Sequence, residues 1–286
     1  FIGSFLRFYH LDFNSLWHNE AFTLFTANNS LSGIWDIVTN NLAELAGITP
    51  TGEFSPPFFY YIEHFMLVFG QSEFILRFIP ALLGTLTIPV FYYIGKEFAD
   101  EDVGIVMAAL ISFSPFHVYY SQEARGYTTM LFLLSVAFFF FLVSLRTNRM
   151  YSWMAFGFFC GLTLWTHYYA FIPIALLLTY ALFWGISRTR EGLTQPFRFI
   201  LSFITFLIIV LPLIPVAINL FIKRTGVPSL STKGPEVAYR IFNALSGNHR
   251  SMIVFFCILF IIGIFFLWRT DKTKTILITG LLVIPI

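Results

Sequence analysis

The chain has 286 residues, of which 57% are hydrophobic and 11% charged, with 38 phenylalanines and a mean hydropathy of +0.77. That composition excludes an ordinary soluble domain, and several apolar runs approach the roughly 20 residues a helix needs to cross a bilayer. The formal charge of +2 says little about partners and gives no indication of nucleic acid.

The composition predicts an all-α polytopic membrane protein, with residues 1–286 as a single transmembrane domain. In chain order the expected spans are Phe1–Phe8, Phe74–Gly95, Val103–Phe116, Gly126–Leu145, Tyr151–Thr166, Ala170–Ile186, Phe199–Ile222, Met252–Trp268 and Thr275–Ile286. The chain opens inside the apolar run "FIGSFL" and stops inside "ILITGLLVIPI", so a fragment with its first and last helices cut is expected. No signal peptide is recognisable. Cys160 and Cys257 fall in apolar runs, which argues against a disulfide framework. Pro212 and Pro215 are expected to kink the seventh span, which bilayer helices tolerate.

The run Pro57–Phe69, "PFFYYIEHFMLVF", is short for a span and carries Glu63 and His64. If it does not span, "RTNR" (Arg146–Arg149), the Arg188–Arg198 loop and "RTDKTK" (Arg269–Lys274) all fall on one side. By the positive-inside rule that side is the cytoplasm. Between Arg7 and Arg77 there is no Lys or Arg, but there are Asp12, Glu20, Asp36, Glu44, Glu53, Glu63 and Glu73. Such an acidic loop belongs outside. Pro57–Phe69 is therefore expected to lie in the outer interface, within a first external loop covering residues 9–72. The other external pieces are His117–Arg125, a "THYY" turn at Thr166–Tyr169, and a loop at Lys223–Arg250. The Lys96–Asp102 loop is cytoplasmic but acidic, a mild exception.

Ionisable groups are costly at membrane depth, so those gathered at one level are functional candidates. On the external side these are Glu20 in "SLWHNEAF", Glu53 before "SPPFFYY", Glu123 and Arg125 in "VYYSQEARGY", His167 in "WTHYYA" and His249 in "SGNHRS". Plainer readings stand beside each. Glu20 suits a helix start as well as a site. Glu123 and Arg125 can pair with each other. His167 suits interfacial packing. The triplet Asn28-Asn29-Ser30 matches a glycosylation sequon by composition alone and is assigned nothing. The 223–250 loop holds Lys223, Arg224, Lys233, Arg240 and Arg250 against the single acid Glu236. Those cations suit a phosphate ligand or, equally, lipid headgroups and snorkelling from helix ends. Carboxylates and cations on one lipid-accessible face suit chemistry on a lipid-linked phosphate. A carboxylate accepts the proton of an acceptor hydroxyl, and cations stabilise a phosphate leaving group.

The blocks "RFYHLDFNSLWHNEAF", "GEFSPPFFYYIEHFMLVFGQSEFILRFIPALLGTLTIPVFYYIGKEF" and "GIVMAALISFSPFHVYYSQEARGYTTMLFLL" resemble the polyprenyl-phosphate-dependent glycosyltransferases of the protein-mannosyltransferase-like group. That group includes the bacterial aminoarabinose transferase, and its fold is called GT-C. The likeness is strong over Arg7–Arg146 and continues through "LTLWTHYYA" and general hydropathy. It implies juxtamembrane helices in the long first external loop. It also implies transfer of a sugar from a polyprenyl monophosphate, with inversion at the anomeric carbon, on the external face. Glu20 falls in the acidic motif of the first loop, and Glu123 at the acidic position of the second. Glu53 lies one residue off the acidic position that the aminoarabinose transferase uses near its metal, and His249 lies in a loop comparable to the one supplying a histidine ligand. A divalent metal enters only by that route. The group usually shows an Asp-Glu pair after the tryptophan, where this chain has Asn19 and Glu20. Asparagine cannot act as a base.

The expected protein is thus a membrane glycosyltransferase with a polyprenyl-phosphate-linked sugar donor and a lipid, glycan or protein acceptor, embedded among membrane lipids. Glu20 acts as, or helps to orient, the base. Glu123 positions Arg125 or the acceptor. Arg125, with Lys223, Arg224 and Arg250, holds the donor phosphate. Asn19, Tyr120, Gln122, Tyr127, His167 and Tyr168 line the sugar pocket, where rings stack on a pyranose. Rival readings are a transporter or flippase, which places ionisable residues near the bilayer midplane, and a non-enzymatic binder of lipid-linked sugar.

Overall fold

The computed structural model describes residues 1–40, 55–190, 196–223, 250–270 and 272–283. Among the described residues the chain is helical and has no strand. Helix boundaries follow local chemistry. The Ser72 hydroxyl accepts from the Ile75 amide and starts α5 (Glu73–Phe98). The Asp100 carboxylate does the same for Val103 at the start of α6 (Glu101–Phe113). Asn148, in the left-handed region at φ 46°, ends α8 (Tyr127–Thr147).

Glu73–Phe98, Tyr127–Thr147, Tyr168–Arg188 and Phe197–Ile218 are long and apolar enough to cross a membrane. The protein is a multi-pass integral membrane protein. The expected span Tyr151–Thr166 forms α9 (Met150–Thr166), whose 17 residues sit at the lower limit for a crossing. It packs between α8 and α11 (Ile200–Val210). A Cβ on Gly157 of α9 would run into the Ser202 carbonyl of α11, so the two backbones touch only because that residue is glycine. The core beside this contact contains Trp153, Phe141, Phe156 and Cys160, together with Ile174 and Leu177 of α10 (Phe171–Arg190). A 3-10 turn at Leu211–Leu213, which contains Pro212, separates α11 from α12 (Ile214–Lys223). Beyond it, α13 (Arg250–Thr270) and α14 (Lys272–Val283) occupy the last two expected spans.

Another expected span is divided by a sharp bend. Val103–Phe116 divides into α6 and a short α7 (Pro115–Ser121), bent by 60°. Pro115 removes a donor from the ladder, and the Ser114 hydroxyl accepts from the His117 amide to start a new helix.

The first external loop expected at 9–72 contains three short helices among its described residues: α2 (His18–Ala27), α3 (Leu31–Asn40) and α4 (Phe58–Met66). They follow α1 (Ile2–Phe8). The run Pro57–Phe69 becomes α4 and one 3-10 turn, stopped by Gly70 at φ 133°, and is too short to span. Phe22, Ile34, Ile37, Val38 and Tyr60 form the small core of this layer.

Both ends of the bundle carry paired charges. Lys96 meets Glu101 at 3.6 Å, Arg146 meets Glu97, and an Arg198 Nη1 donates to the Asn148 carbonyl at 2.9 Å. The last two contacts bring the 96–102 and 146–149 loops and Arg198, all expected in the cytoplasm, to one end. The α2–α4 layer and the 122–126 turn lie at the other.

Glu63 on α4 is an exception to polar satisfaction. It is 0% exposed, and neither carboxyl oxygen has a hydrogen-bond partner. Burial pushes its pKa well above the ordinary 4.5. A carboxyl that holds its proton more tightly when folded loses stability for the fold as pH rises from 4.5 toward the folded pKa. Thermal unfolding of the detergent-solubilised protein should therefore fall to lower temperature across that window, and Glu63→Gln should flatten the dependence. Parallel pH profiles for the two proteins would contradict this account.

Candidate active site

The site is organised around a carboxylate that faces inward. Glu20 lies in the first turn of α2 and is 1% exposed. Its Oε1 accepts from Arg77 Nε at 2.8 Å and from the Ala124 amide at 2.8 Å. Its Oε2 accepts from Arg77 Nη2 at 2.6 Å and from the Trp17 amide at 3.3 Å. The last contact is half of a capping box, with the acid at N3 reaching back to the N-cap amide. Arg77 of α5 is 5% exposed and reaches further. Its Nη1 donates to the carbonyls of Leu11 at 2.6 Å and Asn14 at 2.8 Å, and its Nη2 to that of Ser15 at 3.5 Å. One guanidinium thus gathers the α1–α2 connection, the start of α2 and, through Glu20, the turn after α7.

That turn carries the other candidates. Ala124 is fully buried, and Glu123 and Arg125 flank it at 7% and 6% exposure. The Arg125 amide donates to the Glu123 carbonyl at 2.7 Å, which tightens the turn. Arg125 Nη1 lies 3.4 Å from both the Asn19 carbonyl and the Tyr60 hydroxyl, and its guanidinium is 6.0 Å from the Tyr127 ring centroid. Glu123 Oε2 is buried without a hydrogen-bond partner. Burial raises the Glu123 pKa above the ordinary 4.5, and the charge of Glu20 adds to the rise. The Tyr119 hydroxyl, Arg125 and Arg77 oppose it without cancelling it.

A chain of rings borders the turn. Phe116 and Tyr120 lie 4.6 Å apart, Tyr120 meets Tyr127 edge-on at 5.3 Å, Tyr127 lies 5.7 Å from His167, and His167 lies 5.2 Å from Tyr169. His167 Nδ1 accepts from the Tyr169 amide at 3.3 Å. Tyr168 and Asn19 are half-buried. Gln122 instead binds the end of α1, where its Nε2 donates to the carbonyls of Leu6 at 3.0 Å, Arg7 at 3.4 Å and Tyr9 at 3.0 Å.

The structure therefore brings together Asn19, Glu20, Tyr120, Glu123, Arg125, Tyr127 and His167 from distant parts of the sequence. Lys223 ends α12 and Arg250 begins α13. Glu53, Arg224 and His249 lie outside the described residues. Among the described residues no three His, Cys, Asp or Glu side chains gather as a metal set. Three participants were not singled out from the sequence: Arg77, Tyr60 and the Ala124 amide. A lone arginine in the apolar run "EFILRFIPALL" is a signal of the kind that marks Arg77; a backbone amide leaves none.

The bundle thus carries paired carboxylate, guanidinium and aromatic groups together at one end. The profile of the dolichyl-phosphate-mannose-protein mannosyltransferase family matches residues 54–215. The chain belongs to this family of membrane glycosyltransferases that use a lipid-linked sugar donor, with a fold of the GT-C type. Comparison with individually curated proteins finds no match.

Removing one member of a buried ion pair leaves an uncompensated charge, which costs about 3–5 kcal/mol. Glu20→Ala and Arg77→Met should each destabilise on that scale in thermal or denaturant unfolding, and the double variant by clearly less than the sum. Additive losses would mean that the pair is not coupled.

Proposed function

We propose that the protein transfers a sugar from a polyprenyl-phosphate donor to a lipid, glycan or protein acceptor at the outer face of the cell membrane, with inversion at the anomeric carbon. Mannose, the sugar in the family's name, is the first donor to test. The carrying observation is the Glu20–Ala124 hydrogen bond, which fixes Glu123 and Arg125 on either side of one immobile residue. The outer face is supported by the site's position beside the described part of the 9–72 stretch, whose sequence lacks Lys and Arg between Arg7 and Arg77.

In this reading Glu123 is the base and Glu20 orients it. Both oxygens of Glu20 are hydrogen-bonded to Arg77 and to backbone amides, so its lone pairs are already engaged. Glu123 keeps one oxygen without a partner and has a raised pKa, two features of a general base. The acceptor hydroxyl gives its proton to Glu123 as its oxygen attacks the anomeric carbon from the face opposite the phosphate. The bond from that carbon to the phosphate oxygen breaks, and the electron pair leaves with the polyprenyl phosphate. Arg125 bears the growing negative charge, with Lys223, Arg224 and Arg250 of the 223–250 loop as further cations. Tyr120, Tyr127, His167 and Tyr168 offer rings to the pyranose, and Asn19 its amide. Gln122 serves the architecture through its bonds to α1. No step is routed through a metal.

A test uses full-length protein in membranes with a polyprenyl-phosphate mannose donor. Glu123→Gln should lower kcat by about 10²–10⁴-fold while donor binding persists. A base must be deprotonated, so turnover should fall as pH drops through a pKa lying above 4.5. Tyr119→Phe removes a group that favours the carboxylate and should move this acid limb to higher pH. Undiminished turnover in Glu123→Gln would remove Glu123 from the mechanism. Donor binding without turnover in the wild type, across acceptors, would instead support a non-enzymatic binder.

A further inference from the structure

Arg7 is buried completely, and no acidic side chain is among its hydrogen-bond partners. Its Nη2 donates to the Ile111 carbonyl at 2.8 Å, and its Nη1 lies 3.2 Å from the Ser112 carbonyl and 2.6 Å from that of Gly3. Arg7 Nη2 also lies 2.7 Å from His117 Nδ1. Guanidinium only donates, so Nδ1 accepts and carries no proton. The positions of the two α6 carbonyls explain the arrangement. In an uninterrupted helix the Ile111 carbonyl accepts from the amide of residue 115, and that of Ser112 from residue 116. Residue 115 is proline and has no amide hydrogen, and the 60° bend interrupts the next rung. Arg7 supplies both missing donors from α1.

Two further observations place the same arginine under α7. A Cβ on Gly84 of α5 would collide with Ser121 and come within 3.3 Å of Arg7 Cδ, so the elbow seats against bare backbone. Gln122, directly after α7, binds the carbonyls of Leu6 and Arg7. The next residue is Glu123. α7 is thus a rigid arm between the elbow that Arg7 completes and the turn bearing Glu123 and Arg125.

We propose that Arg7 is a positioning residue for the transfer reaction: by replacing the donors lost at Pro115, it sets the angle of α7 and so the placement of Glu123 at the acceptor. The proposal rests on the reading of Glu123 as the base. Removing Arg7 should displace the base together with Tyr120 and Arg125, which ride on the same arm and turn, a displacement for which losses near 10²-fold in kcat are typical.

The experiment compares wild type, Arg7→Met, Pro115→Ala and Arg7→Met/Pro115→Ala in the full chain, in membranes, by kcat, donor KM and thermal unfolding. Arg7→Met should lower kcat by about 10–100-fold and, because Arg125 and Tyr120 move with the same arm, raise donor KM as well. Ser114 is extended at ψ 113°, so an amide at position 115 reaches the Ile111 carbonyl only where the helix straightens; the double variant should therefore recover part of the lost stability without recovering kcat. Arg7→Lys, which keeps a cation with fewer directed donors, should fall between wild type and Arg7→Met; it stands in if Arg7→Met fails to accumulate. A wild-type kcat in Arg7→Met, or a double variant that regains wild-type kcat with its helix straightened, would overturn the proposal. If the wild type shows no transfer, the functional reading fails separately. Unfolding then decides the elbow: coupling between Arg7 and Pro115 upholds its architecture, and additive losses refute it.

Discussion

The site depends on one buried ion pair, Glu20 with Arg77. Burying both charges costs several kcal/mol per ion before any contact is made, so the pair persists only because neither partner is left short of hydrogen bonds. Glu20 receives two bonds from the guanidinium and two from backbone amides. Arg77 has, besides the carboxylate, the carbonyls of Leu11, Asn14 and Ser15. Each of those carbonyls belongs to an irregular connection that has no helical partner of its own. The pair therefore satisfies loop backbone and fixes the loop in the same act. Without it, α2 would have no anchor on α5, and Ala124 would lose the acceptor that holds its turn.

The same device recurs wherever a helix is interrupted. Away from water, unpaired backbone groups must find partners within the protein. Arg7 serves the carbonyls of Ile111 and Ser112 at the α6–α7 bend. Trp165 Nε1 donates to the Ile209 carbonyl at 2.7 Å, beside the 3-10 turn that contains Pro212. Arg198 serves the Asn148 carbonyl beyond the end of α8. In each case a long donor from a neighbouring segment closes the gap, so every break becomes a tertiary contact. A bend repaired in this way has a defined angle. That matters most at α7, because the turn after it carries Glu123 and Arg125.

Much of the fold was legible in the sequence because hydropathy and span length answer to the bilayer alone. The positions of most spans, the short non-spanning Pro57–Phe69 and the segregation of charged loops all follow from those two constraints. The break at Ser114–Pro115 was not anticipated, although the proline was visible. Whether a proline kinks, caps or divides a helix depends on what can pair with the freed carbonyls, and here that is Arg7, more than 100 residues away. The neighbourhood of Glu20, Glu123 and Arg125 was legible as a set, since ionisable residues at one level stand out in an apolar chain. Their division of labour was not. In the mechanism proposed here it turns on Arg77 and the Ala124 amide, one from a helix that reads as a membrane span and the other a backbone group with no side-chain signature.

The division bears directly on Asn19. Position 19 stands next to an acid whose oxygens are both engaged, so an observer of the sequence sees a missing base beside a surviving one. The hydrogen bonds give a different account. Glu20 is held in place by four donors. Glu123 has an oxygen with no partner in an environment that already penalises its charge, so a proton arriving there relieves a cost. In the mechanism proposed here proton acceptance follows that gradient, from an acceptor hydroxyl to the turn after α7. Asparagine at position 19 then removes no base from the reaction; its backbone carbonyl remains a contact of Arg125, the residue assigned to the phosphate.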